Sequence, residues 1–306
     1  MNKVLVIVGP TAVGKTALSL ALAKQYQGEI ISADSMQIYR HLDIGTAKAT
    51  TEELAQAPHH LIDIRDMTEN YSVAMFQEMA RKKIAEISDR GHLPIVVGGT
   101  GLYIQALLYD YQLGAAEEGD SQVRLHYQAL AEQLGKEAMW QKLQKIDPAA
   151  AEKIHYNNVR KVIRALEVFE TTGRSITAPQ ETPKALYDYF MLGLTTDRGL
   201  LYQRINQRVD QMMALGLLKE AQQVLRYPEA QAARGIGYKE FLPYIEGYQS
   251  LTDAVEQIKQ NSRRYAKRQL TWFSNRMTPR WVDLVQAPDR QKQIMLEIDQ
   301  WLEEKK

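Results

Sequence analysis

A chain of 306 residues, 45% hydrophobic and 25% charged, is long enough to bury a large core as one domain or as one domain with an insert. Its net charge of +1 advertises no polyanionic partner for the chain as a whole, and the lack of cysteine excludes a disulfide framework, a thiol nucleophile and a cysteine-ligated zinc. No apolar run approaches the ~18 residues that span a bilayer, and Lys3 leads straight into a strand, so neither a membrane span nor a signal peptide is expected and the cytoplasm is the expected compartment.

The first element, Val4 to Val8, reads as a strand and delivers the octapeptide GPTAVGKT: Gly9, Pro10, Thr11, Ala12, Val13, Gly14, Lys15 and Thr16. It satisfies G-x-x-x-x-G-K-[ST] in the required setting of strand, tight turn and helix start. There, backbone N–H groups and a positive helix end are aimed at phosphate oxygens. Lys15 adds a point charge, and the Thr16 hydroxyl is placed to reach a phosphate-bound Mg²⁺. The motif predicts a grip on a phosphate or pyrophosphate; the molecule carrying it has to be read elsewhere.

A helix follows through Tyr26, then Glu29–Ser32 reads as a second strand and runs into Asp34-Ser35-Met36-Gln37. Ligands of parallel sheets bind beyond the carboxyl ends of the strands, which directs Asp34 into the crevice beside the phosphate loop. A carboxylate there can act as general base or metal ligand, the alternative being a turn or helix-cap Asp. Gln37 offers the donor and acceptor needed to read an adenine edge. Leu61–Ile64 is a candidate third strand. Ser72 then caps a helix with apolar residues at Phe76, Met79, Ala80, Ile84 and Ile87, which Gly91 stops. Leu93–Val97 is a continuous apolar strand ending in Gly98-Gly99-Thr100-Gly101. These glycines are expected to allow positive φ and close approach to a ligand, with helix packing as the alternative, and Thr100 is the one side-chain hydroxyl at that tip. This strand ends in glycine where an ATP hydrolase places a metal-binding acid. The alternation of strand and helix predicts an α/β fold, a parallel sheet covered by helices on both faces.

Near Gly114 the pattern changes to short, charged helices, with Asp147-Pro148 as a helix start and another helix from about Asn158 to Glu170. Residues 114–183 therefore read as an all-helical insertion domain in an α/β core made of 1–113 and 184–306. Its Arg160, Lys161 and Arg164 cluster on one helix, and Arg124 adds a further cation. Strand signal returns at Tyr189–Leu194. Arg204 and Arg208, four apart on a helix, suit a second clamp on a pyrophosphate. Between 250 and 280 lie seven basic residues against two acids, Asp253 and Glu256. On a helix, Lys259, Arg263, Arg264, Lys267 and Arg268 share one half of the circumference, opposite Val255, Ile258, Tyr265, Ala266, Leu270, Trp272 and Phe273. Such a face is a solvated surface or a phosphate-backbone contact.

In unchanged order and over nearly the full chain, these residues resemble the bacterial tRNA isopentenyltransferase (tRNA dimethylallyltransferase) family. The likeness runs through GPTAVGKT at 9–16, SADSMQIY at 32–39, GTAK at 45–48, HHLID at 59–63 and VGGTGLY at 97–103. It continues through DPAAAEKI at 147–154, RALEV at 164–168, GIGYKE at 235–240 and RRYAKRQLTWF at 263–273. The resemblance implies transfer of a dimethylallyl group from dimethylallyl diphosphate to N6 of the adenosine 3′-adjacent to the anticodon, in tRNAs reading codons that begin with U. It gives Asp34 the role of general base and acceptor for the adenine amino group, and places Thr100 near the reacting centre. Lys15, Mg²⁺ at Thr16 and Arg208 would neutralise the departing diphosphate. Asp34, Ser35, Met36, Gln37 and Thr100 become tRNA contacts, as do Arg124, Arg160, Lys161 and Arg164 of the insert and Arg263, Arg264, Lys267 and Arg268 of the basic helix. Two departures stand out. Arg160-Lys161 replaces a Gln-Arg pair seen in many relatives, which favours phosphate over base contact, and Ala49 replaces a common proline. A monomer is the expected state. The alternatives are transfer to free AMP or ATP, a small-molecule P-loop kinase, or a non-catalytic RNA-binding module; the last has no use for Asp34 and a complete phosphate loop.

Overall fold

The run from Val4 to Val8 is buried at every position and lies in the middle of a sheet. A strand covered on both faces has no polar side to show, so its side chains do not alternate in character. The structure is a computed structural model that describes residues 1–110, 121–178 and 184–304. Among these residues lie six strands: β1 (Lys3–Val8), β2 (Gly28–Ser32), β3 (His59–His60), β4 (Leu93–Gly98), β5 (Asp188–Leu194) and β6 (Arg280–Val282). The helices in chain order are α1 (Lys15–Gln25), α2 (Thr51–Leu54), α3 (Val73–Asp89), α4 (Gly101–Leu108), α5 (Ser121–Ile146), α6 (Pro148–Lys153), α7 (Val159–Thr172), α8 (Arg198–Ala214), α9 (Leu217–Val224), α10 (Leu242–Ile245), α11 (Leu251–Arg276) and α12 (Arg290–Glu303).

All strand pairs are parallel, in the order β3-β2-β4-β1-β5-β6, as the α/β reading requires. Val8 pairs with Gly98 and Ser32 with Val97, so the carboxyl ends of β2, β4 and β1 stand side by side. The chain after each end carries Asp34, Thr100 and the phosphate loop respectively. Connections leave β1 toward β2 on one side and leave β4 toward β5 on the other, and the crevice at such a reversal is where ligands bind.

The chain divides into two compact units, Met1–Tyr109 with Ala185–Lys306, and Asp110–Lys184. The core of the first joins Leu5, Ile7, Leu22, Ile30, Ile95 and Leu192 to Ile205, Ile294, Ile298 and Trp301 of the helices. At the amino-terminal edge, Asp188 accepts from Lys3 Nζ (2.9 Å) and Trp301 Nε1 (3.0 Å), which ties α12 to β1 and β5. The second unit is all-helical among its described residues and has its own core, built on Tyr127, Met139, Leu143, Val162 and Leu166. Gly135 interrupts α5 (φ 80°, ψ 168°), Asp147 caps α6 by accepting from Ala150 N, and Gly173 (φ 67°) ends α7. Gly114, the expected start of the insert, lies outside the described residues.

The expected strand at Leu61–Ile64 is corrected to His59–His60. Leu61 (φ 61°) and Asp63 (φ 56°) sit in the left-handed region, so the chain cannot stay extended there. Lys48 Nζ holds that turn through Asp63 Oδ1 at 2.6 Å, together with Asp43 Oδ1 at 2.6 Å and the Tyr39 carbonyl at 3.0 Å.

Candidate active site

The loop at 9–16, read from the sequence as a phosphate loop, is shaped by three residues with positive φ: Gly9 (140°), Ala12 (67°) and Gly14 (93°). A side chain at Gly9 would also lie 2.4 Å from the Leu194 carbonyl oxygen, so β5 permits only glycine there. Ala12 has no such excuse of size, and its strained backbone is held by Arg204, whose Nε donates to the Ala12 carbonyl at 2.7 Å. Gly14 is the left-handed cap of α1 and presents the helix start without a side chain in the way. Lys15 Nζ lies across the loop, donating to the carbonyls of Gly9 (3.0 Å) and Pro10 (2.6 Å). Thr16 is half-buried on the first turn of α1.

Charge concentrates here. Burial first, and then the neighbouring Arg208 guanidinium, lower the Lys15 ammonium from 10.5 to about 8, with Asp34 pulling the other way. Burial also pushes the Arg208 guanidinium below its ordinary value, while Asp34 and Glu53 oppose the fall and Arg204 adds to it. Asp34, Lys15 and Arg208 thus form one electrostatic group at the carboxyl end of the sheet. Two lysine or arginine cations around one carboxylate leave a net positive site, suited to a diphosphate.

Asp34 Oδ1 accepts from Met36 N (2.9 Å) and Gln37 N (3.4 Å), so the turn-forming alternative is true of one oxygen. The other oxygen is available to a ligand. Thr100 is the N-cap of α4, yet its side chain makes no cap hydrogen bond. Its Oγ1 accepts from Ser35 N at 3.4 Å, bridging the ends of β2 and β4. Tyr265, from α11, lies near Asp34, Thr100 and Gln269. Burial first and the Asp34 charge second push this phenol up to about 12.

A cleft of about 720 Å³ opens beside the loop. Ala12, Arg204 and Arg208 form one side, and Lys48, Leu54 and Met212 lie among its other lining residues.

A family model described as IPP transferase matches residues 37–276. The chain belongs to the IPP transferase family. It is 62% identical over 306 residues to a protein named tRNA dimethylallyltransferase from Enterococcus faecalis, covering 100% of this chain and 99% of that protein. Among solved structures it is similar to the full-length tRNA isopentenylpyrophosphate transferase of Bacillus halodurans, with 47% identity, 99% and 97% coverage and a TM-score of 0.76. It is also similar to a eukaryotic dimethylallyltransferase whose structure is described as acting on tRNA, with 31% identity, TM-score 0.83 and 98% and 80% coverage.

Several residues of this family member take places that the sequence did not disclose. Gly98, Gly99 and Gly101 have no positive φ; instead each lets another element come close. A Cβ would meet the Ala33 carbonyl oxygen at 2.3 Å from Gly98, Gln269 Nε2 at 2.1 Å from Gly99, and Trp272 Cε3 at 2.2 Å from Gly101. The expectation of positive φ there is therefore corrected: Gly98 admits the backbone that follows β2, and Gly99 and Gly101 seat α11 against the strand ends. Gln37 does not offer a free amide edge. Its Oε1 accepts from Ser32 Oγ (3.0 Å) and its Nε2 donates to the carbonyls of Thr46 and Ala47. Met36 packs its methyl group beside Gly235, leaving no space for a side chain there.

The basic residues also divide. Arg264, Lys267 and Arg268 are exposed on α11, and the Arg268 guanidinium lies 5.6 Å from the centre of the Tyr265 ring. Arg263 instead donates to Asn206 Oδ1, and Lys259 pairs with Asp210 at 2.8 Å and Glu256 at 2.9 Å. In the insert Arg160 and Lys161 are exposed, whereas Arg124 and Arg164 both pair with Glu167 at 3.0 Å. Glu167 is fully buried, so these two arginines neutralise an interior carboxylate before any other role.

Gly45 and the GIGYKE segment are structural partners. Glu220 on α9 accepts from the backbone N–H of Asp43, Ile44 and Gly45 and from the Tyr238 hydroxyl, all within 2.9 Å. A side chain at Gly45 would collide with that hydroxyl at 2.6 Å. Nothing in the sequence pattern marks Gln269 as a neighbour of the site, and Tyr265 falls on the apolar half of its helix. The available signal, for burial alone, was a glutamine in register with the buried Ile258, Ala266 and Phe273.

Proposed function

We propose that this chain is a tRNA dimethylallyltransferase. It moves the dimethylallyl group of dimethylallyl diphosphate to N6 of the adenosine 3′-adjacent to the anticodon, in tRNAs reading codons that begin with U. The observation that carries the reading is Asp34 at the end of β2, beside the Lys15 and Arg208 cations and the phosphate loop, in a chain matched end to end by relatives of that name.

An allylic diphosphate ionises when charge on its leaving group is neutralised, and the loop amides, Lys15 and Arg208 supply that in a buried site. The adenine amino group is a weak nucleophile because its lone pair is conjugated with the ring. The free oxygen of Asp34 holds that amino group in line with the allylic carbon and takes its proton as the C–N bond forms. Diphosphate leaves with the electron pair of the broken C–O bond. Thr100 sits across from Asp34 at the same strand ends and donates to the departing group.

The donor set fits Mg²⁺ bound mostly through phosphate oxygens and water. Thr16 presents a hydroxyl at the start of α1, and no cluster of three His, Cys, Asp or Glu occurs among the described residues. Bound there, the ion would supply further charge neutralisation. A stacked base cannot reach the strand ends, so the target nucleotide is flipped from the anticodon loop. Arg264, Lys267 and Arg268 supply phosphate contacts on α11, and Arg160 and Lys161 supply them on the insert. Arg124, Arg164 and Arg263 are left out of that set because other side chains already engage them. Among the described residues no helix is long and apolar enough to cross a membrane; we place the enzyme in the cytoplasm as a monomer.

The test supplies labelled dimethylallyl diphosphate and Mg²⁺ with unmodified tRNA, or with AMP or ATP. Label on tRNA alone is the expected result. Label on free nucleotide would reassign the acceptor, and ATP consumption without transfer would make the chain a kinase.

A further inference from the structure

The tripeptide Gly99-Thr100-Gly101, at the end of β4, lies along α11. A Cβ at Gly99 would meet Gln269 Nε2 at 2.1 Å, and one at Gly101 would meet Trp272 Cε3 at 2.2 Å. Gln269 and Trp272 are three apart, so they share one face of the helix. Thr100 is extended (φ −88°, ψ 92°), and along extended backbone successive Cβ atoms point to opposite sides. Both glycine positions face α11, so the Thr100 side chain is turned away from it. Its Oγ1 accordingly meets the end of β2, accepting from Ser35 N at 3.4 Å.

One side-chain hydrogen bond fixes this tripeptide at its start. Gln269 Nε2 donates to the Gly99 carbonyl at 3.0 Å, and that carbonyl carbon is bonded to the Thr100 nitrogen. At the other end, the Thr100 carbonyl accepts from Tyr103 N (3.0 Å) and Ile104 N (3.2 Å) of α4. The Thr100 hydroxyl makes no cap to that helix. It is therefore placed by bonds to the backbone on both sides of it, one of them supplied by Gln269.

Glutamine is a poor choice for the fold at this position. Gln269 is 6% exposed, and its Oε1 is buried with no hydrogen-bond partner among the described residues. A buried polar atom without a partner destabilises the folded state. Methionine or leucine would fill the same register of α11 without one. Neither could supply the donor to Gly99. From this geometry we infer that Gln269 is a positioning residue for the transfer reaction: it fixes the Gly99–Thr100 peptide, and through it the place of the Thr100 hydroxyl in the crevice. It touches neither substrate. The inference rests on the role of Thr100 proposed above and names the residue that holds it there.

The experiment measures melting, and transfer to an anticodon stem-loop over a range of RNA and donor concentrations. It compares wild type, Gln269→Met, Gln269→Leu, Thr100→Val and the double variant of Gln269→Met with Thr100→Val. Both Gln269 variants are expected to melt at or above the wild-type temperature, because the lost hydrogen bond is offset by removal of the unpartnered oxygen. Their kcat is expected to fall about tenfold with KM for both substrates near wild type, within the roughly hundredfold that a 1 Å misplacement can cost. Thr100→Val falls further, and the double variant is no slower than Thr100→Val, because Gln269 acts only through that hydroxyl. Wild-type rates in both Gln269 variants overturn the inference and leave Thr100 in place. So does a rate that falls only together with the melting temperature, which makes Gln269 a packing residue, or losses that multiply in the double variant. A loss confined to KM for RNA overturns it too, since Gln269 would then serve only to seat α11. Full activity in Thr100→Val removes the role of Thr100, and the inference with it. A wild-type enzyme that labels no RNA overturns the proposed function and the inference together.

Discussion

If Lys15 grips the diphosphate as proposed, that grip depends on pH in a range where few lysines titrate. In solution an ammonium near 10.5 stays charged through pH 9, but here burial and Arg208 bring it to about 8. The fall corresponds to about 3 kcal/mol held against the charged form, at about 1.4 kcal/mol for each tenfold change. Below pH 8 the fold bears that penalty, and it fades as the pH approaches 10.5 and the unfolded chain also loses its proton. A bound diphosphate opposes the penalty, so the donor binds the protonated enzyme more tightly. At pH 9 only about one molecule in ten of the free enzyme carries that proton, by the same arithmetic. The expected outcome is a kcat/KM for dimethylallyl diphosphate that is level to about pH 7.5 and falls about tenfold by pH 9. At saturating donor, kcat changes far less. Arg208→Gln removes the second cause of the depression and moves the limb upward, and Lys15→Arg abolishes it while slowing the reaction. A steady-state series in donor concentration from pH 6.5 to 9.5, at fixed ionic strength, reads all three. A flat kcat/KM profile in wild type, or an Arg208→Gln limb moving downward, would refute the electrostatic reasoning.

Asp34→Asn is expected to lose at least about a hundredfold in turnover while binding the anticodon stem-loop like wild type in a filter assay; undiminished turnover would remove Asp34 from the chemistry. Gly99→Ala places a methyl 2.1 Å from Gln269 Nε2 and must displace that amide, so unfolding by urea shows a loss of about 1–3 kcal/mol and the strand end that carries Thr100 shifts, which slows transfer. A wild-type rate and urea stability would show that α11 gives way freely. Burial pushes the Glu29 carboxyl up, but hydrogen bonds from His60, Arg90 and His92 more than reverse it and hold it at about 2, against 4.5 ordinarily. The sign follows: this stability, about 3 kcal/mol, is fully present above pH 4.5 and is lost as the pH falls toward 2. Urea unfolding at pH 7 and pH 3 should show wild type losing stability that Glu29→Gln never had; equal acid sensitivity in both would exclude Glu29 as the cause.

What the sequence determined by itself is whatever depends on neighbours along the chain. The strand–glycine–helix order of 4–16 is a local property, and so are the buried runs of β1 and β4, the caps at Ser72, Asp147 and Asn158, and the stop at Gly173. Those elements specify a parallel sheet, and such a sheet directs Asp34 and Thr100 to one end of it. Charge was legible as position but not as availability. Arg263, Arg124 and Arg164 look like their neighbours Arg264 and Arg160 until distant groups, Asn206 and Glu167, claim them. Glycine was legible as a need for space, but whether that space serves a ligand, a positive φ or an approaching helix depended on Gln269 and Trp272, far along the chain. The same holds for Leu61 and Asp63, whose left-handed turn is fixed in part by Lys48, and for Tyr265, which falls on the apolar half of its helix yet lies near Asp34 and Thr100. Hydrogen bonds and ion pairs across such separations are chosen by packing in three dimensions, and no periodicity in the chain encodes which partner arrives.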